Sequence, residues 1–154
     1  MKIATASELQ AGRLAMKAKC MQAALEETPE RVRLIRIRRS ISGSASVREG
    51  ILTVPRPFTR RALHVFFHEC AHIVLDHVSR KPRHVEEMEA EQWATDAMRR
   101  HGFAVPRERL RHAKWHVGDQ IKRAIRNRAR SIDLKAAKFA GVKIKNPPEP
   151  KFEL

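Results

Sequence analysis

The 154-residue chain contains two cysteines, no tyrosine and few aromatic residues of any kind. Two cysteines are too few for the disulfide framework of a small secreted domain, so we expect Cys20 and Cys70 to be reduced thiols. The chain also lacks any run of about 18 apolar residues, and its N-terminal stretch lacks the apolar core of a signal peptide. These absences argue against export and against a membrane-spanning helix, and they predict a cytoplasmic protein.

Acidic residues are also scarce: 17 Asp and Glu stand against 32 Lys and Arg, for a formal net charge of +15. The basic excess is concentrated in residues 31–39 and 107–145. Such a field attracts polyanions, so DNA, RNA or an acidic protein are all permitted partners. Because Trp115 is the only tryptophan of the second segment, stacking on single-stranded bases is not expected. Residues 107–145 are predicted either to contact nucleic-acid phosphates or to form a solvated helical face.

The most informative stretch is H-E-C-A-H at residues 68–72. Residues four apart lie on the same side of a helix, so His68 and His72 can both direct a ring nitrogen at one metal ion. Glu69 then lies beside the ion, where it can act as the general base on a water molecule. Apolar residues recur at three- and four-residue steps around the motif, which predicts a helix capped by Thr59. This pattern indicates a hydrolytic zinc site.

Two histidines do not hold a hydrolytic zinc ion, so a third protein ligand is required. Val78 stands where the metzincin extension would place a histidine, and that subclass is excluded. His77 and His84 are further imidazoles, but His77 falls about 140° around a helix from His72 and should point elsewhere. A carboxylate from the acidic run at 86–91 is the better source. By composition alone, such a run can equally be a solvated first turn that complements the helix dipole.

Residues 68–72 followed by E-M-E-A-E-Q-W-A at residues 87–94 resemble the ImmA/IrrE-type metallopeptidases, whose pattern is H-E-x-x-H, a short spacer and E-x-E-A-(N/D)-x-F-A. The resemblance covers roughly residues 45–100. It implies a gluzincin-like Zn²⁺ site in which Glu87 is the third ligand, with Glu89 as the fallback ligand. Glu91 takes the Asn/Asp position and Trp93 the Phe position, and both depart from the family pattern. A carboxylate at 91 can still accept a hydrogen bond from the remote nitrogen of a ligand histidine.

The resemblance implies a zinc metallo-endopeptidase that cleaves an intracellular protein, such as a transcriptional repressor of a mobile element or a stress response. No convincing helix-turn-helix precedes the metal motif, so this repressor is expected to be a separate protein. Glu69 is the predicted catalytic base. A donor for the tetrahedral oxyanion is also expected, and the candidates are His64, His84, His112 and His116. The alternatives are a basic nucleic-acid-associated protein, or a regulatory protein that binds a repressor without cutting it, with a structural or vestigial zinc site.

The expected fold class is α+β: a minimal zincin in which a small β-sheet packs on the H-E-x-x-H helix and on a glutamate-bearing second helix. We expect residues 1–102 to form this metallopeptidase domain, residues 103–145 to form a basic helical extension packed on it, and residues 146–154 to be a flexible tail.

Apolar periodicity and capping residues divide the chain into five helices and two strands. Ser7 is the expected cap of the first helix. The strands are predicted at 31–41 and at 46–54, the second interrupted by Glu49-Gly50, around a turn at 42–44. The later helices are predicted at 60–77, 85–98, 107–130 and 131–141, with a weak point at Gly118. The face of the basic helix predicted to pack on the core contains Leu110, Ala113, Trp115, Val117, Ile121 and Ile125. We expect a strand edge near Ile51 to Val54 to receive an extended peptide by main-chain pairing.

Overall fold

The computed structural model describes residues 4–145, and the tail predicted at 146–154 lies outside the described residues. The described part is α+β, as expected, with five helices and a three-stranded mixed sheet. In chain order the elements are α1 (Ala6–Glu27), β1 (Leu34–Arg38), β2 (Ser44–Ser46), β3 (Ile51–Pro55), α2 (Arg60–Val74), α3 (Arg83–Arg100), α4 (Arg107–Arg126) and α5 (Leu134–Ala140). No helix between residues 4 and 145 is both long and apolar enough to cross a bilayer.

Helix α1 begins two residues earlier than predicted, because Thr5 rather than Ser7 is its cap. The Thr5 hydroxyl accepts a hydrogen bond from the Glu8 amide, and the Glu8 carboxylate accepts one from the Thr5 amide. This reciprocal capping box satisfies two amides that the helix itself leaves free. Thr59 caps α2 as expected, and its hydroxyl accepts from the Ala62 amide at 3.2 Å.

Strand β3 lies at the centre of the sheet, parallel to β1 and antiparallel to β2. The interruption predicted at Glu49-Gly50 falls within a turn at residues 47–50, which separates β2, ending at Ser46, from β3, starting at Ile51. Gly50 makes this turn with a φ of 68°, and a Cβ there would clash with the Arg31 carbonyl oxygen. The expected peptide-receiving edge at Ile51 to Val54 was wrong, because that strand is paired on both sides.

Helix α2 is the central element of the core, and β3, α1 and α3 all pack against it. Its buried face meets Leu52 and Val54 of β3 on one side and Met98 of α3 on another. The helix ends at Val74, three residues before the predicted end, because Asp76 adopts a left-handed conformation with a φ of 54°. The chain then turns back, and the His77 amide donates to the His72 carbonyl at 2.9 Å.

Helix α4 packs against α3 and α5. It runs unbroken through Gly118, where a Cβ would be in ordinary van der Waals contact with Val142 and Ala140. The predicted apolar face was only half right. Ala113, Val117 and Ile121 are buried, whereas Leu110, Trp115 and Ile125 are exposed.

Candidate metal centre

Three buried side chains from two neighbouring helices converge on one point. His68 and His72 lie one turn apart on α2, and their Nε2 atoms are 3.2 Å from each other. Glu87 of α3 places Oε2 3.2 Å from His68 Nε2 and Oε1 3.8 Å from His72 Nε2. One ligand atom from each residue lies within 4.8 Å of the others, so this cluster could hold a metal ion.

The spacing of these atoms fits a small tetrahedral cation. Two ligands at about 2.0–2.1 Å from a tetrahedral zinc ion lie about 3.3 Å from each other, close to the distances observed here. Glu87 Oε1 is buried and forms an ion pair with the Arg83 guanidinium. The donor set of two imidazoles and one carboxylate is the one that hydrolytic zinc sites use. Two imidazoles and one carboxylate also leave one coordination position free.

Each of the two histidines has a partner for its remote nitrogen. His68 Nδ1 lies 3.2 Å from Glu91 Oε1, within ion-pair distance although not aligned as a hydrogen bond. His72 Nδ1 forms a 2.9 Å hydrogen bond with His77 Nδ1. Such partners fix the orientation of a metal-binding imidazole. The structure thus brings Glu91 to His68, as the sequence suggested, and places His77 behind His72 rather than among the candidate ligands.

Glu89, the fallback ligand, is directed elsewhere. Its Oε2 is 3.0 Å from His77 Nε2, and both of its oxygens lie 2.8 Å from the Lys81 ammonium. Glu87 and Glu89 are two residues apart, so they point about 200° apart around α3. Of these two carboxylates, it is Glu87 that the structure groups with His68 and His72.

Glu69 lies next to the cluster on the pocket wall and is buried. Burial raises the pKa of Glu69 to about 7, against the opposing effect of positive charge on His68. Gly43, which precedes β2, packs directly on this side chain: a Cβ at position 43 would lie 2.5 Å from Glu69 Cγ. Only a glycine leaves room for the Glu69 carboxylate in this position.

The metal-free cluster holds a proton on one of its histidines. Burial favours the neutral ring, but contacts with Glu87 and Glu91 outweigh it and raise the pKa of His68 to about 10. Burial and the charge on His68 lower the pKa of His72 to about 3. The pKa of Glu87 is held well below its usual range, because contacts with His116 and His68 overcome its burial. The site therefore contains one imidazolium, His68, facing the anionic carboxylates of Glu87 and Glu91. A divalent cation could take the place of the proton on this ring.

Helix α4 supplies the opposite wall of the pocket. His116 Nε2 lies 3.1 Å from Glu87 Oε2, and the rings of His112 and His116 are nearly parallel, with their centroids 6.0 Å apart. Both histidines line the pocket, which has a volume of about 310 Å³. The other two candidate donors do not: His64 is fully buried beside Glu91, and His84 accepts a hydrogen bond from the Asp133 amide. The predicted extension thus contributes directly to the site.

Two arginines and one loop at the site were not foreseen. Arg83 pairs with Glu87 from one turn earlier on α3, and the i, i+4 spacing of these residues could have signalled the contact. Arg109 of α4 also lines the pocket, and nothing local in the sequence points to it. The pocket is completed by residues 41–45, which lead into β2.

We expect alanine at His68, His72 or Glu87 to weaken Zn²⁺ binding by at least about 100-fold. The loss of a ligand should weaken binding more than the loss of a residue that only orients a ligand. Glu89→Ala is the matched control and should bind Zn²⁺ within about tenfold of the wild type. Titration against a chromophoric chelator measures both. Loss of binding in Glu89→Ala, with binding retained in Glu87→Ala, would reverse the assignment of the third ligand.

We also expect Zn²⁺ affinity to rise by about tenfold per pH unit between about pH 6 and pH 9, because one bound proton must leave. The pKa of His68 is raised to about 10, so this ring is protonated throughout the range, and lower pH strengthens the competing proton. His72, with its pKa lowered to about 3, is already neutral there. Titration calorimetry in buffers that differ in their enthalpy of ionisation should detect the release of about one proton for each Zn²⁺ ion bound. An affinity independent of pH contradicts this expectation.

Comparison of the chain with protein-family models, with curated proteins and with solved structures found no match. The arrangement of His68, Glu69, His72 and Glu87 is therefore the main indication of the chemistry that this pocket permits.

Proposed function

We propose that the protein is a zinc-dependent metallopeptidase with the packing of a minimal, gluzincin-like zincin. The observation that carries the proposal is the buried Glu69 carboxylate beside the His68, His72 and Glu87 cluster, on the wall of an open pocket. The three clustered side chains would hold the ion. Zinc bound there supplies Lewis acidity, which acidifies water and polarises a carbonyl group.

Glu69 is the proposed general base and acid. Its carboxylate accepts a proton from the attacking water as the new C–O bond forms at the peptide carbonyl. The same proton then passes to the leaving amine nitrogen as the C–N bond breaks. One water molecule is therefore consumed for each peptide bond that is hydrolysed. A pKa near neutrality suits a group that must both accept and return a proton. Gly43 leaves room for this side chain, because a Cβ at position 43 would overlap it.

Oxyanion stabilisation is assigned to the α4 wall. Negative charge develops on the carbonyl oxygen during attack, and donors placed at that point lower the barrier. Of the four candidate histidines, His112 and His116 are the two that line the pocket. His116 is held by its contact with Glu87, which orients its ring towards the cluster.

The peptide substrate is proposed to bind in an extended conformation along β2. Residues 41–45 line the pocket, and β2 is an edge strand of the three-stranded sheet in the described part. An extended peptide can add to such an edge through main-chain hydrogen bonds. β2 thus takes the role that the sequence had suggested for Ile51 to Val54.

The resemblance to the ImmA/IrrE-type pattern extends the proposal to the kind of substrate: a separately encoded transcriptional regulator inside the cell. The positive charge of the chain supports this extension, because it favours encounter with DNA on which such a regulator is bound.

A second candidate function is nucleic-acid binding through α4. The observation that favours it is a row of exposed cations, Lys114, Lys122 and Arg126, none of which forms an ion pair within residues 4–145. Arg123 of the same helix differs from these three, because it forms an ion pair with Asp119. Unpaired cations along one helix are available for phosphate contacts.

Glu69→Gln should keep Zn²⁺ affinity within about tenfold of the wild type and lower peptide cleavage at least about 1000-fold, within the range supplied by general-base catalysis. Mass spectrometry of new N-termini, after incubation of each purified protein with a cell lysate, measures cleavage. Glu108→Gln, an exposed position on α4, is the matched control and should cleave like the wild type. If the zinc-loaded wild type generates no termini beyond those of Glu69→Gln, the peptidase proposal fails and a binding role is favoured.

Affinity for random duplex DNA should fall steeply with salt if α4 binds phosphates. Replacing Lys114, Lys122 and Arg126 with glutamine should reduce the slope of log affinity against log salt by about 3, near one unit for each cation removed. Glu69→Gln should leave this slope unchanged. Fluorescence anisotropy measures it, and no binding even at low salt rules out this second candidate.

A further inference from the structure

Strand β1 is the most exposed regular element of the sheet. All five of its residues are exposed, and its contacts are chiefly with β3. It is the terminal strand of the sheet, opposite to the β2 edge beside the pocket. Its outer side therefore carries main-chain groups that no other strand within residues 4–145 satisfies.

The register shows which main-chain groups point outwards. The Leu34 amide donates to the Gly50 carbonyl, and Leu34 is the register partner of Ile51 in the parallel pair. In a parallel ladder the bonding direction alternates along the strand, so Leu34, Arg36 and Arg38 face β3 with their main-chain groups. Ile35 and Ile37 consequently direct their N–H and C=O groups away from the sheet, where an added strand would receive them.

The side chains of β1 divide into an apolar and a basic face. Ile35 and Ile37 are aligned with Leu52 and Val54, the two β3 residues buried against the helices. They remain 37% and 49% exposed, so the apolar inner face of the sheet continues past β3 without cover. Arg36 and Arg38 lie on the other face, because successive residues of a strand alternate.

The charge around β1 is uncompensated. Arg33, Arg36, Arg38 and Arg39 form no ion pair in the described part of the chain, and no acidic residue occurs between 31 and 48. Antiparallel pairing of two copies through this edge would bring their arginines together on one face, which is unfavourable. A second copy of the chain is therefore a poor occupant, whereas an acidic strand complements both the charge and the apolar face.

We propose that the outer edge of β1 docks an extended acidic segment of a partner protein. Acidic side chains of this segment lie beside Arg36 and Arg38, alternating apolar side chains cover Ile35 and Ile37, and main-chain hydrogen bonds join the two strands. The docking edge is about 10 Å, or two strand spacings, from β2. It is separate from the metal pocket and does not depend on the proposed peptidase activity.

The probe is a fluorescein-labelled peptide of alternating valine and glutamate. Its affinity for the 154-residue chain is compared with that of a peptide of alternating valine and lysine. The glutamate peptide should bind at least about tenfold more tightly, because charged cross-strand pairs favour it at two positions. The double variant Arg36→Glu with Arg38→Glu should reverse this preference. The control Arg107→Glu with Arg111→Glu changes the net charge equally on α4 and should preserve it.

Two further measurements separate strand addition from general charge attraction. A glutamate peptide methylated on alternate backbone nitrogens should lose binding, because it cannot complete the main-chain hydrogen bonds. Amide NMR shifts caused by the unmodified peptide should centre on Ile35 and Ile37. Glu69→Gln should bind the peptide like the wild type, so failure of the peptidase proposal would leave this result intact.

The proposal is overturned if the methylated peptide binds equally well, or if the Arg36 and Arg38 variant keeps the wild-type preference. It is also overturned if random duplex DNA, and not the glutamate peptide, shifts the Ile35 and Ile37 amides. The far-ultraviolet circular dichroism spectrum, compared with that of the wild type, reports whether the double variant is folded. If it is not, Arg36→Gln with Arg38→Gln replaces it, and this milder variant should abolish the preference for glutamate over lysine.

Discussion

The contact between His68 of α2 and Glu87 of α3 is the constraint on which the rest of the site depends. These two side chains are buried at the contact between helices, with Nε2 and Oε2 3.2 Å apart. An unpaired charge in such a place would cost several kcal/mol, so the helices must pack with these residues facing each other. His72, Glu91 and His116 then take positions around this pair. The packing of α2 on α3 thereby defines the whole candidate metal centre.

Segments before and after the α2–α3 pair contribute to the surroundings of that centre. On one side the loop before β2 contains Gly43, whose lack of a side chain leaves room for the Glu69 side chain. On the other side α4 brings His112 and His116 to the pocket. The C-terminal segment is therefore part of the site and more than an appendage. This arrangement also gives the two edges of the sheet different surroundings, since β2 borders the pocket and β1 lies away from it.

Local sequence patterns predicted well those features that depend on a single helix. The position of α2, its buried face and the Thr59 cap follow from apolar periodicity and a capping residue. The sheet was predicted less well. The break at Glu49-Gly50 was predicted from the sequence, but the pairing of β3 on both sides depends on segments that lie elsewhere in the chain. The exposed half of the α4 apolar face was missed for a similar reason: Leu110, Trp115 and Ile125 have the periodicity of a core face, but no other element between residues 4 and 145 covers them.

The sequence by itself determined that His68, Glu69 and His72 would lie together, because the geometry of one helical turn sets their spacing. It also supplied the acidic helix from which a third ligand could come. Only the tertiary structure decided that Glu87 joins the histidines while Glu89 contacts Lys81 and His77, since this choice depends on the rotation of α3 against α2. The same holds for the histidines of α4 and for the central position of β3. These features arise from contacts between segments far apart in the chain, and no local periodicity encodes them.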